Sequence, residues 1–172
     1  TVPDPLQLIL TDCIIRGPVN LLRSSTNLPI HAQWNNGLFA SSNWFMQLPA
    51  MDAIKINLDL EQVVISAAPG ILRIFNSDEE GSRPDIQLSS NHGIFVTEPD
   101  NPVFLIDQVS AAGETPYRPI ISGTNNCYQN TTIMIVEHDR EDFTQTSQLT
   151  IDELLAESDN PDVLQWFRQQ NI

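Results

Sequence analysis

From residue 54 the chain alternates, with Ile54, Ile56, Leu58 and Leu60 apolar and Lys55, Asn57 and Asp59 polar between them. A period of two is that of a strand with one buried and one wet face. Val63 to Ala67 and Ile71 to Phe75 continue the apolar signal across Pro69-Gly70, where Pro presets φ and Gly tolerates a positive φ. Gly93 to Thr97 and Val103 to Asp107 flank Glu98-Pro99-Asp100-Asn101-Pro102, the pattern of a hairpin with a longer loop. Thr131 to Glu137 is β-branched and apolar and is predicted as a central strand. Leu6 to Leu10 and Cys13 to Ile15 complete the set, and no internal repeat stands out. Short strands punctuated by turn residues at intervals of about 8–12 positions predict a mainly β fold, an antiparallel sandwich or barrel.

The pattern changes near the end. Residues 141–149 read as a polar linker, and Thr150-Ile151-Asp152-Glu153 is a capping box with Thr150 as N-cap and Glu153 reaching back. A short helix is expected to run to Glu157. Asn160-Pro161 starts a second, in which Val163, Leu164, Trp166 and Phe167 form an apolar stripe. The expected division is a β-rich domain over residues 1–143, with 144–172 as linker and C-terminal helical tail packed on it.

Charge narrows the partners. The chain has 172 residues, 22 acids against 8 bases, and a net charge of −14. Such a surface repels phosphate backbones, so nucleic acid is not expected as a partner. No stretch approaches the ~18 apolar residues of a membrane span, so none is expected. The charge is also uneven. In residues 1–50, Asp4 and Asp12 balance Arg16 and Arg23, so all the net charge lies beyond residue 50. That neutral third is rich in amides and aromatics, which points to it if one surface is set apart for contact.

Cys13 and Cys127 are the only cysteines. A bridge between them would close a loop of about 115 residues, for which the chain-entropy model gives ~4–5 kcal/mol. A bridge is the expected state. The opening Thr-Val-Pro-Asp-Pro reads as a processed start, which suits a secreted or periplasmic location. Asn130-Thr131-Thr132 fits the N-glycosylation acceptor pattern.

Three constellations carry possible chemistry. Residues 31–47 hold Trp34, Asn35, Asn36, Asn43 and Trp44, aromatic faces beside amides, as a carbohydrate or peptide contact needs. The competing reading makes Trp34, Phe39, Trp44 and Phe45 core. Asn36-Gly37 is in addition a tight-turn dipeptide. Asn76, Asp78 and Glu80 place oxygens at alternate positions before Gly81, as calcium loops do, although Gln87 stands where a bidentate Glu would close the site. A solvated acidic turn is the favoured reading, because charge runs are usually just wet, and no cofactor other than Ca2+ is suggested. Finally, His138 lies beside Asp139 and Asp142 in the densest ionisable cluster, where a histidine among carboxylates can act as a general base. Walker, GxGxxG, GxSxG and HExxH signatures are absent. The sequence therefore favours a non-catalytic ligand-binding or protein-interaction module with a protein or carbohydrate partner. A hydrolase working through His138, or a structural subunit of a larger assembly, is the alternative.

Overall fold

The computed structural model describes residues 4–24, 28–50, 55–76, 84–107, 120–129, 133–138, 146–150 and 153. Its strands alternate between two sheets in chain order. The first sheet receives β1 (Leu6–Arg16), β3 (Ile30–Ser41), β5 (Lys55–Ala67), β7 (Asp85–Asn91) with β8 (Ile94–Val96), and β10 (Ile120–Thr124) with β11 (Cys127–Gln129). The second receives β2 (Leu22–Arg23), β4 (Met46–Ala50), β6 (Leu72–Asn76) and β9 (Phe104–Asp107), each between two strands of the first, and then β12 (Ile133–His138) after β11. All these pairings are parallel. The chain thus winds as a β-solenoid, each coil laid on the one before. Only β13 (Thr146–Thr150) runs antiparallel, along β12.

This overturns the antiparallel sandwich or barrel. The strands were legible because a pleat alternates its side chains whatever the direction of its neighbour. Their pairing was not. Pro69-Gly70 is indeed a turn, with Gly70 N–H donating to the Ala67 carbonyl at 3.1 Å, but it carries the chain from one sheet to the other. Likewise β8 and β9, expected as a hairpin around residues 98–102, lie in different sheets, and β9 pairs with β6 and β12. Residues 146–150, at the end of the expected linker, form a strand.

Among the described residues Glu153 alone is helical, and no helix forms an element there. The expected second helix lies outside them, as does all of the first except Glu153. The capping box itself is made. Glu153 N–H donates to Thr150 Oγ1 at 3.3 Å, and Thr150 N–H and Oγ1 donate to Glu153 Oε2 at 2.8 and 2.9 Å. Those two bonds to the ionised form hold the Glu153 carboxyl below its usual range.

Each coil turns a corner within the first sheet on a residue in the left-handed region: Asp12, Asn36, Gln62, His92 and Asn125, with φ between 53° and 57°. Flanking register pairs stack these five directly on one another. A left-handed residue breaks the two-residue rhythm. In β5 the buried positions are Ile56, Leu58 and Leu60 before the corner, then Val63, Ile65 and Ala67 after it. The corner divides the first sheet into two legs, so the solenoid presents three outer faces. Asn is tolerated at such positions because its short amide bonds locally, whereas Gln lacks that advantage. Gln62→Asn is expected to stabilise the protein by ~0.5–1 kcal/mol, about 1–4 °C in Tm by thermal unfolding.

Inside, the coils stack like on like. Ile30, Ile56 and Ile86 form one buried column, Ala32, Leu58 and Leu88 the next, and Phe39, Ile65 and Phe95 a third. The second sheet closes the core with Met46, Leu72, Phe104 and Ile135 in register.

A candidate binding groove on the outer face of the first leg

The inward positions of the first leg are apolar, so the alternate ones face out. In register across the coils these are Gln7, His31, Asn57, Gln87 and Ile120; then Ile9, Gln33, Asp59, Ser89 and Ser122; then Thr11, Asn35, Glu61, Asn91 and Thr124. Apart from exposed Ile9 and Ile120, on the first and last coils, they are amides, hydroxyls, carboxylates and one histidine. Their spacing is the sheet's own, ~4.8 Å between coils and ~6.6 Å between alternate residues of one strand. The middle of this lattice is concave. An open groove of about 480 Å³ runs over it, lined among others by Gln33, Asn35, Asp59, Glu61, Ser89 and Asn91.

Two histidine–carboxylate pairs bracket the groove. His31 Nε2 lies 3.0 Å from Asp59 Oδ2, and His92 Nδ1 lies 3.1 Å from Glu61 Oε1. Gln33 Nε2 is 3.3 Å from His31 Nε2, and Asn125 Nδ2 is 3.2 Å from His92 Nε2. Asp59 and Glu61 sit two apart on β5 and so emerge side by side, each steadied by a histidine from an adjacent coil. Both carboxylates keep solvent access, at 50% and 41% side-chain exposure, so their remaining lone pairs can accept from a ligand.

The residues singled out from the sequence are dispersed by the fold. Asn35 is in the groove and exposed Asn36 is at its corner, donating to Asp12 Oδ1 at 2.6 Å. Trp34 points inward and is 2% exposed, so its ring is core and is not displayed for stacking. Its ring stacks on Phe45 with centroids 6.1 Å apart, and its underside fills the space a side chain at residue 37 would need. Gly37 is therefore required by the indole, in a strand that bends at Asn36 instead of turning back as a hairpin. Asn43 and Trp44 lie at another corner, where the half-buried Trp44 ring packs over Gly70.

Cys13 and Cys127 are free thiols, contrary to the expected bridge. Cys127 shares a stacked position with Ile14, four coils away. Four strand spacings make ~19 Å, whereas a disulfide needs Cα atoms within about 7 Å. Of the calcium candidates, Asp78 and Glu80 fall outside the described residues, and Asn76 ends β6. Among the described residues no group of three or more His, Cys, Asp or Glu side chains is placed to hold a metal ion.

Asp139 and Asp142 also lie outside the described residues. The partner of His138 is one the sequence did not suggest. Asp107 Oδ1 lies 2.7 Å from His138 Nδ1, while Asp107 Oδ2 accepts from Arg73 Nε at 2.8 Å and Nη2 at 2.7 Å. With β6, β9 and β12 adjacent in the second sheet, this cluster ties three successive coils together. No sequence motif joins Asp59, Glu61, His31 and His92 into a site, because only the stacking of coils brings residues about thirty positions apart onto one surface. Comparison with known proteins finds no matching family model, no curated relative and no matching solved structure.

Proposed function

We propose that this protein is a non-catalytic binding module whose groove holds an extended, hydroxyl-rich chain, a neutral or amino-bearing polysaccharide. The observation that carries the reading is the regular outward lattice of amides, hydroxyls and carboxylates over an open groove. Sugar hydroxyls both donate and accept. Side-chain amides do the same, and Asp59 and Glu61 add strong acceptors. A lattice that repeats from coil to coil suits a ligand that also repeats. The two carboxylates and the −14 overall charge repel uronic-acid and sulfated chains. Trp34, being core, takes no part.

The test is titration calorimetry against a panel of neutral, cationic and anionic soluble polysaccharides. Binding to a neutral or cationic member is expected, with Asp59→Ala and Asn35→Ala each weakening it about tenfold, ~1.4 kcal/mol. Trp44→Ala, away from the groove, is expected to leave it unchanged. No binding across the panel, or affinity untouched by Asp59→Ala, ends the reading. Binding of an extended peptide instead would transfer the groove to a protein partner.

A further inference from the structure

The second leg, beyond the corner ladder, has an outer face of opposite character. Its outward positions in register are Ile14, Leu38, Val64, Ile94 and Cys127, and next to them Arg16, Ala40, Ser66, Val96 and Gln129. The alternation is unambiguous, because the residues between the two columns, Phe39, Ile65 and Phe95, are buried. Ile14 is 68% exposed and Ile94 40%. None of the ten residues in these two columns is a carboxylate. Five stacked strands make an apolar ribbon ~19 Å long, a feature that on a soluble surface marks an interaction site.

We propose that this ribbon is a self-association surface, on which a second copy of the chain seats face to face with its coils in reverse order. Charge selects the occupant. At −14, two copies repel across their acidic surfaces, including the first leg with Asp59, Glu61 and Asp85. The ribbon is free of acid, and its one charge is Arg16 on the first coil. A two-fold axis perpendicular to the solenoid reverses the coil order, so Arg16 of one copy lies over the far coils of the other. Exposed Glu98 follows β8 there, two residues past the position in register with Arg16. The same operation makes the contact twice, as a two-fold interface requires. The proposal is independent of the groove, which lies on the other side of the corner.

Sedimentation velocity on the full chain, in reducing buffer so that Cys127 thiols stay unlinked, tests it between about 1 and 500 µM. A concentration-dependent monomer–dimer equilibrium is expected. Ile94→Glu, at an exposed site, is expected to raise the dimer Kd at least tenfold with circular dichroism and Tm unchanged, and Ile14→Glu serves if that variant fails to fold. Arg16→Glu should weaken the dimer, and Arg16→Glu combined with Glu98→Arg should restore it. A wild-type chain that stays monomeric throughout overturns the proposal and leaves the ribbon to a different partner. A dimer indifferent to both Ile substitutions overturns it equally, since another face would then be in use.

Discussion

Trp34→Ala is expected to destabilise the protein by about 3–5 kcal/mol, enough to unfold much of the population if total stability is near the usual ~5–15 kcal/mol. The ring is 2% exposed and lies against Gly37, just past the corner where the two legs meet. It stacks on Phe45, which meets Phe39 edge-on with centroids 5.0 Å apart, so its loss opens a void beside two close-packed rings. Urea unfolding followed by circular dichroism should show a lower midpoint with an unchanged slope. Trp34→Phe is expected to cost far less. It keeps an aromatic ring in the stack and removes Nε1–H, a buried donor with no hydrogen-bond partner. A loss below about 1 kcal/mol in Trp34→Ala would contradict the core placement and return the indole to the list of contact residues.

That experiment bears on how far the sequence could be read. The alternation at 54–60 identifies half of β5, and the strands at 63–67, 71–75, 103–107 and 133–137 were equally plain. Direction was hidden, because turn chemistry such as Pro69-Gly70 reports that the chain changes course and not which strand it next lies beside. The solenoid does leave a trace in the phase of the pattern. Apolar positions run even to Leu60 and odd from Val63, and the same slip occurs at Trp34–Gly37 and Ser90–Gly93. A strand that changes phase in three places, over Asn36, Gln62 and His92, the first and last of them suited to the left-handed region, is the signature that was available. It escapes a search for a fixed period because the connections grow. Leu10 stacks under Trp34, Trp34 under Leu60, Leu60 under Ser90 and Ser90 under Gly123, at separations that lengthen each time. The groove inherits the same concealment. Asp59 and His31 are meaningless as a pair until the coils are stacked.

Gly123→Ala is expected to cost about 2–5 kcal/mol, combining a backbone strain of ~1–2 with the loss of buried hydrogen bonds worth ~1–3. Gly123 has φ +134°, and a Cβ built there falls on the carbonyl oxygen of Ser90 in the coil beneath. That carbonyl accepts from Asn126 Nδ2 at 2.7 Å, while Asn126 Oδ1 accepts from Ser90 Oγ and Gly93 N–H, each at 2.9 Å. Asn126 is buried, so these bonds have no water to replace them. A methyl group at residue 123 must push the fourth and fifth coils apart at the corner where this network joins them. Gly17 supplies the control. It too has a positive φ, +115°, but nothing lies within 4 Å of a Cβ built there, so Gly17→Ala should lose only the strain, ~1–2 kcal/mol. Denaturant unfolding of the two variants side by side separates the contributions. Equal losses would mean that coil-to-coil contact at Ser90 contributes nothing, and the stacking of the fourth and fifth coils at this corner would have to be redrawn.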